Sequence, residues 1–119
     1  MIAAIYARSA AEDAKSITQQ VEHARTYAIS KGWAVDPESV YADNGANGTE
    51  FVRPGFADLM IAITTRPCPF KALILSDESR LGRDPGQTAD TLRKIADAGM
   101  RVFCSDGREW TAWPMRRSR

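Results

Sequence analysis

The N-terminal stretch Ile2-Ala3-Ala4-Ile5-Tyr6-Ala7-Arg8-Ser9 (IAAIYARS) joins a short apolar run to a charged tip. The apolar residues 2–6 predict a buried strand, and the small polar residues 9–15 predict a loop after it. Arg8 and Ser9 then lie at the carboxyl end of the strand. Ligand sites of open parallel sheets form beyond these ends, so the rest of the fold decides whether this tip belongs to a site.

Helix and strand patterns alternate after this stretch. Ser16, with Gln19 three residues later, is predicted to cap a helix over 16–31 that Gly32 ends. A second strand is expected within 33–41, followed by a helix over 56–64, a strand over 70–75, a helix over 85–97 and a strand over 100–104. The order predicts an α/β fold of three layers, with about four mainly parallel strands and helices on both faces.

Composition excludes several classes of protein. The chain has 119 residues, enough for one domain, and its net charge of +1 gives no argument for a nucleic-acid or membrane surface. No apolar run approaches the roughly 18 residues of a membrane span. Cys68 and Cys104 are far apart and form no CxxC pair, and no secretory segment is evident, so we expect a reduced, cytoplasmic protein.

Metal and cofactor signals are weak as well. His23 is the single histidine and has no partner at ligand spacing, so no metal site is expected. The chain contains no GxGxxG or Walker sequence, and nothing supports a Ser-His-Asp triad. The expected cofactor is therefore none.

Arginines follow the predicted strand ends. The fold would bring Arg8, Arg80 and Arg83 toward one crevice, with Arg53 a candidate fourth. Several guanidiniums at one place favour a bound anion, and phosphate matches the arginine fork. A serine among them suggests phosphoryl transfer. Surface ion pairs with nearby carboxylates and a phosphatase-like anion site unrelated to DNA both stay open as alternatives.

Six short motifs occur in order along the chain. They are IYAR at 5–8, KSITQQ at 15–20, YADNGANG at 41–48, RPGF at 53–56, SRLGRD at 79–84 and AGMRVF at 98–103. Together they resemble the catalytic domain of serine recombinases, the resolvase/invertase family, and especially its large-serine-recombinase branch. The resemblance covers about residues 2–105.

The resemblance implies a resolvase-like fold and a DNA recombination site as the partner. It implies DNA cleavage by a serine hydroxyl through a phosphoserine link, then strand exchange within a tetramer, without metal or nucleotide. Arg8, Arg80 and Arg83 would surround the scissile phosphate. By the same resemblance, supporting roles fall to Gln20, Arg53, Tyr6, Asp43 and Asp84.

One departure concerns the nucleophile. The family places its serine two residues after the first arginine, and here that position is Ala10. Ser9 lies one residue early, and adjacent side chains of an extended segment point to opposite faces. Ser9 therefore serves only if the loop shifts register, and the chain is expected to be inactive. Asn47 and Ser79 also replace common family residues, and whether Ala10 is natural or introduced stays open.

The second departure is the C-terminal part. We expect residues 1–105 to form the catalytic domain and 106–119 an irregular basic tail, in place of the long helix with which the family dimerises and touches DNA. On that interpretation the chain is truncated. An alternative is a non-catalytic interaction module that pairs with a full-length recombinase and regulates its assembly. The candidate protein partners are a second copy of this chain, in a homo-oligomer, and a full-length recombinase.

Overall fold

The computed structural model describes residues 1–9, 13–45, 53–76, 80 and 85–110. The strands are β1 (Ala3–Ser9), β2 (Val40–Asn44), β3 (Ala72–Leu75), β4 (Arg101–Cys104) and β5 (Glu109–Trp110). The helices are α1 (Ala14–Ser30), α2 (Pro54–Thr64) and α3 (Pro85–Asp97), with a 3₁₀ turn at Pro37–Ser39. The described strands form one sheet in the order β2-β1-β3-β4-β5, which confirms the predicted α/β class.

The central strand, β1, extends further than its sequence indicates. It pairs in parallel with β3 only as far as Ile5 opposite Ile74. On its other side the parallel pairing with β2 continues to Ser9 opposite Asn44. The prediction of a strand that ends near Tyr6 is therefore wrong, because β2 supplies hydrogen bonds to the polar tip. Beyond Ile5, no strand partner occurs on the β3 side among the residues that the structure describes.

Helices cover both faces of the sheet. Tyr6 belongs to a core cluster with Leu59 of α2 and Leu92 of α3. Ile5 belongs to a second cluster, with Ala24 of α1. Since side chains alternate along a strand, even-numbered residues of β1 face α2 and α3, and odd-numbered residues face α1. Burial on both faces explains why the strands read as continuous apolar runs.

Helix α1 begins earlier than predicted. Asp13, not Ser16, is its N-cap: the Asp13 side chain accepts from the Ser16 amide at 3.1 Å. The Asp13 amide in turn donates to Asn44 Oδ1 at 2.7 Å, which ties the cap to β2. This tertiary contact selects Asp13 over the capping-box spacing. Gly32, with φ of +77°, is confirmed as the residue that follows the helix end.

Other boundaries moved by a few residues. The second strand lies at Val40–Asn44 instead of within 33–41, since Pro37 opens a 3₁₀ turn and Ala34 makes only an isolated bridge to Ile2. Helix α2 starts two residues early, at Pro54, and β3 and β4 start late, at Ala72 and Arg101. Helix α3 has the predicted bounds.

The predicted irregular tail contains a strand. Glu109 and Trp110 form β5, which pairs antiparallel with β4 through Val102 opposite Trp110. Gly107, with φ of +104°, allows the tight turn between the two strands. Trp110 packs against the core on the α2/α3 side. Residues 111–119 lie outside the described part.

Two further expectations bear on the class of protein. Within the described ranges, no helix combines the length and the apolar character that a membrane crossing needs. Cys68 and Cys104 are both free thiols.

Candidate functional site

Arg8 and Arg80 hold each other at the carboxyl edge of the sheet. Arg8 Nε donates to the Arg80 carbonyl oxygen at 3.0 Å, and Arg80 Nη1 donates to the Arg8 carbonyl oxygen at 3.1 Å. We call this reciprocal pair the arginine clasp. The two residues are 72 positions apart in the chain. The clasp thus holds Arg8 and Arg80 together at the tip of β1.

Gln20 completes the backbone bonding of this tip. Its Oε1 accepts from the Arg8 amide at 3.1 Å, and its Nε2 donates to the Arg8 carbonyl at 3.0 Å. A side-chain amide thereby bonds the Arg8 backbone as a neighbouring strand would, because it presents the same donor and acceptor as a peptide group. Nε2 also donates to Ser16 Oγ at 3.2 Å. Gln20 therefore orients Arg8 through its backbone.

Asp43 anchors the start of helix α2. Its Oδ1 accepts from the Gly55 amide at 2.8 Å, and its Oδ2 accepts from the Phe56 amide at 2.9 Å. Arg53, the N-cap residue, makes no side-chain capping bond of its own. Asp43 acts in its place from the neighbouring strand, and a carboxylate is favourable at the positive end of a helix. The carboxylate is almost fully buried.

Tyr6 donates the third bond to this carboxylate. Its hydroxyl lies 2.6 Å from Asp43 Oδ2. Burial raises the pKa of Tyr6 above its usual range, and the hydrogen bond to Asp43 and the charge of Asp43 raise it further. The positive charges of Arg53 and Arg8 act in the opposite direction on the same pKa. Both guanidiniums are thus within electrostatic range of the Tyr6 phenol, which stays neutral as a donor.

Arg53 is held by an aromatic side chain. Its guanidinium lies 4.4 Å from the centre of the Phe56 ring, and that ring meets Tyr6 edge to face at 5.8 Å. The stack fixes Arg53 to the same network that Asp43 organises. A close approach of α2 to β2 makes this possible. A Cβ added at Gly55 would lie 2.5 Å from the Ala42 carbonyl oxygen.

Ser9 lies on the other face of the sheet. It follows Arg8 in β1 and shares its odd-numbered face with Ile5, which packs against α1. Its register partner is Asn44, whose side chain reaches the N-terminus of α1. Arg8 shares the face of Tyr6 instead. By strand alternation, the Ser9 side chain therefore points to the face opposite that of the Arg8 side chain.

The described residues bring six of the sequence-predicted site residues to one edge: Tyr6, Arg8, Gln20, Asp43, Arg53 and Arg80. Ala10, Arg83 and Asp84 lie outside the described residues, as do Asn47 and Ser79. Within the described ranges, no group of three metal-ligating side chains occurs. The ion pairs recorded there join Arg93–Asp90, Arg101–Glu109 and Arg108–Asp106, and none of them involves Arg80.

Sequence reasoning assigned no role in the site to three contributors: Ser76, Gly55 and Phe56. Ser76 Oγ accepts from Arg80 Nε at 2.9 Å. The sequence feature that points to Ser76 is its position as the first polar residue after an apolar strand. Gly55 and Phe56 belong to the RPGF motif, but the bonds of their amides to Asp43 and the contact of the Phe56 ring with Arg53 have no local signature in the sequence.

Solved structures share this fold. The N-terminal catalytic domain of TP901-1 integrase matches with a TM-score of 0.75 and 23% identity, over 89% of this chain and 78% of that chain. The C-terminal catalytic domain of ISC1926 TnpA, an IS607-like serine recombinase, matches with a TM-score of 0.76 and 23% identity, over 99% of this chain and 76% of that chain. A resolvase family site-specific recombinase from Streptococcus pneumoniae matches with a TM-score of 0.81 and 20% identity, over 99% of this chain and 81% of that chain.

Sequence comparison supplies the family. Comparison with curated proteins gave no match. The family model described as "Resolvase, N terminal domain" matches residues 3–118, which reaches past the 2–105 covered by the motif resemblance. With nearly the whole chain matched, this protein belongs to the resolvase N-terminal domain family.

Proposed function

We propose that this chain is a serine-recombinase catalytic domain that binds a DNA phosphate at its arginine cluster but lacks the nucleophile to cleave it. The observation that carries the proposal is the arginine clasp at the carboxyl edge of the sheet. Because β5 continues the sheet, we place the end of the catalytic unit after Trp110 and not at Ser105. The recombinase domains of similar fold support this choice of chemistry.

A phosphate suits the charge of the clasp. Two guanidiniums held at one edge of the sheet repel each other, and an anion that both contact would turn that repulsion into attraction. The N-termini of α1 and α2 are already capped. Asp43 accepts from the first-turn amides Gly55 and Phe56 of α2, and Asp13 caps α1. In this proposal the anion contacts come from arginine side chains.

Cleavage needs a hydroxyl where the chain has Ala10. With a serine there, the hydroxyl oxygen would attack phosphorus, and the bond between phosphorus and a deoxyribose oxygen would break. The leaving oxygen would take up a proton, and the arginines would stabilise the charge on the phosphoryl oxygens. The methyl group of Ala10 cannot do this, and Ser9 belongs to the α1 face. The chain as it stands would bind DNA without forming the phosphoserine link.

The test is to restore the hydroxyl with Ala10→Ser. Labelled random-sequence duplex DNA is incubated with each variant, and adducts that survive denaturation are counted and mapped by peptide mass spectrometry. We expect an adduct on residue 10 for Ala10→Ser, and none for the unchanged chain or for Ala10→Ser/Arg80→Ala. An adduct on Ser9 of the unchanged chain would overturn the assignment of inactivity.

Binding is tested separately from cleavage. Arg80→Ala is expected to weaken binding of the same DNA by about tenfold, the effect of one charge-assisted contact. Arg93→Ala, a surface arginine on α3, is the matched control and should change it less than about twofold. Equal binding by the unchanged chain and Arg80→Ala would refute a phosphate site at the clasp. A partner role without DNA would then become the better explanation.

A further inference from the structure

Ser76 is a polar side chain at this edge that the proposed chemistry does not use. It follows β3 directly, and its Oγ accepts from Arg80 Nε at 2.9 Å. The preceding residue, Leu75, is fully buried, and its carbonyl accepts from the Ser105 amide at 2.8 Å. Ser76 is therefore attached to a rigid part of the sheet, and Arg80 lies on the segment beyond it.

Arg80 is held at two points by two different elements. Nε donates to Ser76 after β3, and Nη1 donates to the Arg8 carbonyl in β1. A guanidinium is planar, so two bonds in its plane fix the orientation of the whole group, whereas one bond leaves rotation about it. The remaining N–H groups, including both on Nη2, then point away from these two acceptors.

This orientation matters for a bidentate contact. Arginine binds phosphate tightly when two parallel N–H groups meet two oxygens, which requires the fork to face the anion before it arrives. Without Ser76, Arg80 would keep its bond to Arg8 but lose the contact at Nε. The charge of Arg80 would stay near the site, but its guanidinium would no longer be held in one orientation.

We propose that Ser76 is a positioning residue whose hydroxyl holds the Arg80 guanidinium so that its open edge faces the bound phosphate. The phosphate part of this inference rests on the proposed function. The hold on Arg80 is a property of the free protein. The two parts can therefore be measured separately.

The first measurement is the motion of the Arg80 Nε–H group, followed by ¹⁵N relaxation in the free, full chain. For Ser76→Ala the order parameter should fall from about 0.85 to below about 0.6, the range of flexible groups. Ser76→Thr keeps the hydroxyl and should retain the high value. Ser105→Ala, a half-buried serine at the same edge, is the matched control and should leave it unchanged. An unchanged order parameter in Ser76→Ala overturns the inference.

The second measurement is binding of random-sequence duplex DNA at low salt. Ser76→Ala should weaken binding by about fivefold, with an unchanged melting temperature and rescue by Ser76→Thr. Suppose that Ser76→Ala lowers the order parameter of Arg80 Nε–H but not the affinity for DNA, and that Arg80→Ala still weakens binding. That result overturns the role of Ser76 in phosphate binding. If Arg80→Ala also binds like the unchanged chain, the proposed function itself fails, and only the hold of Ser76 on Arg80 stands.

Discussion

The bond between Tyr6 and Asp43 offers a quantitative test of how the site is built. Asp43→Ala removes the acceptor of two first-turn amides of α2 and of the Tyr6 hydroxyl. Loss of a helix cap costs about 1.5 kcal/mol. A buried hydroxyl left without its charged partner costs about another 1.5 kcal/mol. We therefore expect Asp43→Ala to lower the free energy of unfolding by about 3 kcal/mol.

A double-mutant cycle isolates the shared bond. Tyr6→Phe removes only the phenol bond and should cost about 1.5 kcal/mol. The double variant should cost only about 1.5 kcal/mol, because it has no hydroxyl left without a partner and loses only the helix cap. The expected coupling energy is thus about 3 kcal/mol. At this chain length the single variants should melt about 12 °C and about 6 °C lower, respectively.

The assay is urea unfolding followed by tryptophan fluorescence, with melting temperatures as a second readout. Tyr41→Phe is the control, since no hydrogen bond of its hydroxyl is recorded among the described residues, and it should change stability by less than about 0.5 kcal/mol. Additive single effects, with a coupling below about 0.5 kcal/mol, would refute the shared hydrogen bond and the placement of α2 by Asp43.

Two further perturbations probe the same contacts. Gly55→Ala should destabilise the protein by about 2 kcal/mol, because the new Cβ would lie 2.5 Å from the Ala42 carbonyl oxygen; a gain in unfolding free energy of about 1 kcal/mol, as helix propensity alone predicts, would contradict this close approach. Because the pKa of Tyr6 is raised in the folded protein, its hydroxyl contributes its full stabilisation below about pH 10, where the unfolded phenol also keeps its proton. This stabilisation is lost as the pH rises further. Urea unfolding between about pH 10 and 11 should therefore show a free energy of unfolding that falls with pH, and falls less steeply in Tyr6→Phe than in the unchanged chain. Equal slopes in the two proteins would exclude the raised pKa of Tyr6. Tyr27 and Tyr41, whose pKa values are also raised, are present in both proteins.

Local patterns determined much of this fold. The alternation of apolar strands with amphipathic helices predicted the parallel α/β sheet, and the bounds of α3 and the end of α1 at Gly32 follow from Pro85 and Gly32 themselves. These signals are local because proline and glycine restrict the backbone at their own positions. The convergence of Arg8 and Arg80 also followed from the sequence, since parallel strands bring their carboxyl ends to one edge.

Only the tertiary structure decided how that edge is organised. The extension of β1 to Ser9 depends on pairing with β2, and that extension assigns Ser9 to the α1 face. The roles of Gln20 and Ser76 depend on acceptors and donors that the fold brings beside Arg8 and Arg80. Asp43 caps a helix that begins eleven positions later in the chain. Such contacts have no local signature, because a carboxylate or amide side chain serves any donor or acceptor that folding places within about 3 Å of it.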